Sequence, residues 1–66
     1  METIKFRIIK NRDNDMCRIE AKDIRSTYRK IATSGCICSI DVMLSEMERI
    51  TKEVAKLGND AVFVLD

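Results

Sequence analysis

Met43-Leu44-Ser45-Glu46-Met47-Glu48-Arg49-Ile50-Thr51-Lys52-Glu53-Val54-Ala55-Lys56-Leu57 holds the most regular hydrophobic pattern in the chain. Met43, Met47, Ile50, Val54 and Leu57 follow one another at alternating steps of four and three residues, which puts all five on one face of an α-helix. Glu48 and Lys52 lie between them as an i, i+4 pair in the favourable order. Ser45 with Glu48 has the form of a capping box, and Asp41 offers an earlier start. Leu57-Gly58-Asn59-Asp60 closes the helix and turns the chain. A helix with one apolar stripe must bury it against another element, so the flanks decide the fold class.

Downstream, Ala61-Val62-Phe63-Val64-Leu65 is apolar at every position, the pattern of a strand covered on both sides. Upstream, Cys36-Ile37-Cys38-Ser39-Ile40 is short, contains two β-branched isoleucines and is flanked by Gly35 and Asp41, which predicts a further strand. Before it, Ile24, Tyr28 and Ile31 make one helical stripe with Ala32 beside it, Asp23 as N-cap and Ser34-Gly35 as the stop. Ile4-Lys5-Phe6-Arg7-Ile8 and Cys17-Arg18-Ile19-Glu20-Ala21 both alternate with period two. The polar run Asn11-Arg12-Asp13-Asn14-Asp15 between them suits a turn, giving a β-hairpin. The expectation is one α+β domain over residues 1–66, with a small mixed four-stranded sheet in the order ββαβαβ. Right-handed crossovers would set both helices on one face of it. Ile9, Val62 and Val64 then lie on the other, bare face, as candidate contacts between copies.

Size makes that bare face matter. A chain of 66 residues buries only about 60% of the surface its unfolded form exposes, and domains so small often need disulfides, metal or self-association. The three cysteines are odd in number, and Met1-Glu2-Thr3 runs straight into strand-like sequence without an apolar leader. Cys17, Cys36 and Cys38 are therefore expected as buried thiols in a reducing cytoplasm. With no histidine, a four-ligand zinc site would need all three plus a carboxylate, so no metal is expected. No stretch reaches the ~20 apolar residues that span a bilayer, so no membrane role is expected. Self-association, as a homodimer or larger ring, is the remedy that is left.

No catalytic constellation is present. The commonest general base is absent, as are the nucleophile triads and the glycine-rich phosphate loop, and the chain has only two glycines. Asp41 and Glu46, near Cys38, would raise a thiol pKa rather than lower it. Neither an enzyme nor a cofactor is expected. A small-molecule site would have to be built in a crevice between copies.

Charge is informative through its distribution. Net charge is +1, yet residues 1–35 hold nine basic against five acidic side chains and residues 36–66 three against six. Lys5, Arg7 and Arg18 are expected together on the helix-free face, Lys10 and Arg12 in the hairpin loop, and Arg25 and Arg29 along the first helix. Such a set suits nucleic-acid phosphates. Base stacking, however, has only Phe6, Tyr28 and Phe63 to call on, and two of them are assigned to the core. The competing reading is a solvated face balanced by Glu20 and Asp23. Protein binding is favoured over both, because a small mixed sheet has edges that accept a strand from another chain.

From Phe6 to Cys36 the chain runs strand, polar turn, Ile19-Glu20-Ala21, a short helix with Arg29-Lys30-Ile31-Ala32, then a strand opening at Cys36. This order resembles the front half of small phage-encoded proteins of the anti-CRISPR type, which block host surveillance complexes. The second half departs, since such proteins continue in strands where this chain has the helix ending at Leu57. The resemblance implies a viral inhibitor that occupies the surface of a host protein in the host cytoplasm. The sequence expectation is thus a non-catalytic binding protein acting by stoichiometric contact, with a nucleic-acid-binding regulator as the alternative.

Overall fold

A computed structural model describes residues 1–32 and 35–66. Five elements follow one another: β1 (Thr3–Lys10), β2 (Cys17–Ala21), α1 (Ser26–Ile31), α2 (Ile40–Lys56) and β3 (Asp60–Leu65). The class is α+β with two helices, but the sheet has three strands in the order β2-β1-β3 rather than four. The expected strand at Cys36–Ile40 is reduced to one antiparallel bridge between Cys17 and Ile37. Its physical cause is Ser39. The Ser39 Oγ accepts a hydrogen bond from the Val42 N–H at 3.2 Å, so the helix begins at Ile40 and removes the residues that would have lengthened the strand. The cap expected at Ser45 or Asp41 is therefore this serine, and Asp41 sits in the first turn where its charge suits the helix dipole.

β1 is the central strand. It pairs antiparallel with β2, Arg7 opposite Glu20 and Ile9 opposite Arg18, and parallel with β3, Phe6 opposite Phe63. Ile4 and Phe6 of β1 and Ile19 of β2 point to one face and are fully buried, together with Tyr28 of α1, Ile37, and Ile50 and Val54 of α2. Ile8, Ala21, Met43, Met47, Ala61 and Phe63 pack around them. Both helices thus cover the same face of the sheet. The shortest dimension of the chain, 17 Å, has room for one sheet and one layer of helices.

Several local expectations are corrected. α1 is only six residues long and starts after Arg25, so Ile24 falls outside it and is 80% exposed. Asp23 does not cap the helix; its Oδ1 accepts from the Arg25 N–H at 2.9 Å in the preceding turn. Of the expected Ser34-Gly35 stop, Ser34 lies outside the described residues; α1 ends at Ile31. Gly58 has the left-handed conformation, φ +80°, that ends α2. Cys36 and Cys38 are exposed rather than buried, because one bridge cannot draw their neighbourhood into the sheet. β3 is not covered on both sides. It is an edge strand, with Val62 and Leu65 exposed.

One tie spans the whole chain. Asn59, in the turn from α2 to β3, accepts the Glu2 N–H with Oδ1 at 2.9 Å and donates from Nδ2 to the Tyr28 hydroxyl at 2.7 Å. A single side chain therefore joins the start of β1, the buried ring of α1 and the entry to β3.

Candidate binding surface

The pleat that sends Ile4, Phe6 and Ile8 to the core sends Lys5, Arg7 and Ile9 to the opposite face. By the same registers, Arg18 and Glu20 of β2 and Val62 and Val64 of β3 join them there. No described element packs over this face. Ile9 and Val64 are half-buried and Val62 is exposed.

The charges on it form a chain across the sheet. Arg7 donates from Nη2 to Glu20 Oε1 at 3.3 Å and from Nη1 to Asp66 Oδ2 at 3.4 Å. Arg18 Nε reaches the other Glu20 oxygen at 2.8 Å, and its Nη1 donates to Asn11 Oδ1 at 3.4 Å. The two arginines thus lie among two carboxylates, and the ladder is electrically balanced. Arg18 first, then Arg7, holds the Glu20 carboxyl below its usual range. Lys5 is exposed on the same face.

The remaining predicted basic residues lie on the hairpin end, on α1 and in the turn before it. Lys10 meets Asp15 at 3.6 Å at the hairpin end, where Arg12 is exposed. Arg25 lies at the opposite end of the sheet, paired with Glu2 at 2.8 Å and Asp23 at 2.6 Å and stacked 4.9 Å above the Tyr28 ring. Arg29 is exposed on α1. Arg25 thus stands apart, while Lys10, Arg12 and Arg18 share one depression and Arg7 and Arg29 another. Glu2 and Asp66 are neutralising partners that sequence reading misses, because they lie 23 and 59 residues from the arginines they bind.

Arg25 gives this cluster a pH signature. Its side-chain hydrogen bonds, then its backbone N–H, lower the Asp23 pKa from 3.8 to about 2, and the Glu2 carboxyl is lowered mainly by its own bonds to Arg25. A carboxyl whose pKa is depressed by folding stabilises the fold above its unfolded value and loses that contribution as pH falls through the folded one. Stability is therefore expected to fall between pH ~4 and ~2. Denaturant midpoints for wild type and Arg25→Gln across this range check the claim. The variant should show a shallower fall, and parallel curves would contradict the assignment.

Three surface depressions accompany the sheet. One of about 180 Å³ is lined by Asp15, Cys17, Ile37, Cys38, Ser39 and Ile40 among others. One of about 390 Å³ lies where β2 meets α1, with Arg29 and Ala32, and one of about 400 Å³ sits under the hairpin loop beside Arg12 and Arg18. None brings a thiol together with a basic partner. Among the described residues no group of three or more metal-ligating side chains converges, and no helix is long and apolar enough to cross a membrane.

Comparison with protein-family models, with curated proteins and with solved structures finds no match to this chain.

Proposed function

We propose that this chain is a non-catalytic binding protein that contacts a host protein stoichiometrically through the helix-free face of its sheet. The observation that carries this reading is that face itself. Val62 and Val64 lie on its edge strand and Ile9 towards the end of its central strand, with the Arg7–Glu20–Arg18 ladder and the Arg7–Asp66 pair between and beside them. A surface that mixes partly exposed apolar side chains with arginines has a composition common at protein interfaces. The resemblance of residues 6–36 to phage-encoded inhibitors supports a target within a host defence complex.

The experiment is a pull-down from host lysate with wild type and with Ile9→Asp. Wild type should retain one protein at near-equal molar yield, and the variant should lose it while keeping its far-UV circular dichroism. Equal retention by both proteins would overturn the assignment to this face.

The nucleic-acid alternative has less support, because Arg7, Arg18 and Arg25 already hold carboxylates. Lys5, Arg12 and Arg29 are exposed but lie on different parts of the molecule. No shift of labelled DNA or RNA is expected at low salt. A salt-sensitive shift lost in Arg7→Glu would instead favour the alternative.

A further inference from the structure

We infer that β3 is an association edge for a second copy of this chain, joined antiparallel about a two-fold axis through Phe63. The backbone sets the direction. The Asp60 N–H bonds Glu2 O at 2.9 Å and the Asp66 N–H bonds Ile8 O at 3.1 Å, so the even-numbered residues of β3 face β1. Strand alternation then turns the N–H and C=O groups of Ala61, Phe63 and Leu65 outward. β3 ends the sheet, and no strand of the described chain lies beyond it. Hydrogen-bonding groups spaced along an extended edge accept a strand in preference to a helix or a small molecule.

The edge lacks the usual protection. Within Ala61–Leu65 there is no lysine, arginine or proline, the ladder to β1 runs without a bulge, and Leu65 is 85% exposed. Edge strands of natural monomers are normally blunted by one of those devices.

The sequence of the edge selects the occupant. Asp60-Ala61-Val62-Phe63-Val64-Leu65-Asp66 reads nearly the same in both directions. An antiparallel two-fold through Phe63 therefore puts Val62 opposite the partner's Val64, Phe63 opposite its equivalent, and small Ala61 opposite large Leu65. About six backbone hydrogen bonds would form, and the sheet would run on across both copies. The open face would gain a continuous apolar seam, since Val62 and Val64 of each copy meet there. The one unfavourable juxtaposition is Asp60 opposite Asp66, and Arg7 already donates to Asp66 at 3.4 Å. This inference concerns the edge of the sheet and not its face, so it stands or falls separately from the binding reading above.

Sedimentation equilibrium on the full chain at ~10 to 200 μM tests it. Wild type should be a dimer in this range. Leu65→Pro removes an outward N–H that the fold does not use, and Leu65→Lys places a charge on the seam. Both should weaken dimerisation at least about tenfold while leaving far-UV circular dichroism unchanged. Asp60→Asn should tighten the dimer about two- to fivefold at low salt by removing the like-charge pair. A monomeric wild type, or a dimer indifferent to both Leu65 variants, would overturn the inference. A Leu65-dependent dimer that Asp60→Asn leaves unchanged would overturn the register through Phe63.

Discussion

Phe6→Ala is expected to remove a large share of the chain's stability, about 3–5 kcal/mol. Phe6 is fully buried in the middle of the central strand, and its ring stacks on Phe63 with centroids 5.6 Å apart. Truncating a buried phenylalanine costs about 3–5 kcal/mol through lost transfer energy and the cavity left behind. A domain of this length has roughly 3–10 kcal/mol of total stability, so one substitution removes from about a third of it to all of it. Position adds to the effect. Phe6 faces Ala21 on one side and Phe63 on the other, so the cavity opens under both strand pairs at once. Thermal unfolding followed by circular dichroism should show a midpoint lowered by about 12–40 °C for Phe6→Ala. Phe6→Leu, which keeps much of the volume, should still melt cooperatively. A melting point for Phe6→Ala within a few degrees of wild type would mean that the core is centred elsewhere.

The part of the fold that depends on short-range pattern was legible in the residues. Period-two alternation located β1 and β2, and Ile19 is buried as its place in the alternation requires. The four-three spacing located α2, with Ile50 and Val54 buried and Met43 and Met47 packed against the core. The Glu48–Lys52 pair forms at 3.1 Å. Competition between neighbouring elements was not legible. Cys36–Ile40 has strand-like residues, yet the hydroxyl of Ser39 favours a helix start inside it, and the helix took Ile40. Ile24, expected in the first helix's stripe, precedes α1 and is in solvent.

The same limit applies to the surface. Alternation assigned Lys5, Arg7, Ile9 and Arg18 to one face, and the registers place them there. Neutralisation of the arginines depended on Asp66 and Glu2, which only the parallel pairing of β1 with β3 and the turn before α1 bring near. An apolar run such as Ala61–Leu65 does not tell a central strand from an edge. The difference is set by how many strands the rest of the chain supplies, and the described residues supply one fewer than the residue types suggest.

Asn59→Ala is the second substitution expected to have a large effect, about 2 kcal/mol or more of lost stability. The turn residue itself is replaceable in conformation, because the neighbouring Gly58 takes the left-handed angle. What the amide does is fix two distant groups. Its Oδ1 holds the Glu2 N–H at the start of β1, and its Nδ2 holds the hydroxyl of Tyr28, a ring only 5% exposed. Removing it loses two hydrogen bonds and leaves a largely buried hydroxyl without its donor, and the second loss is the larger because that group is away from water. A double-mutant cycle separates the two parts. Tyr28→Phe removes the hydroxyl, so Asn59→Ala made in that background no longer strands it and should cost only the bond to Glu2. Urea unfolding of the four proteins should therefore give a coupling of about 1 kcal/mol between the two positions. Strict additivity would mean that Asn59 acts on the β1 terminus alone, and that α1 is held to the sheet by packing of the Tyr28 ring without help from its oxygen.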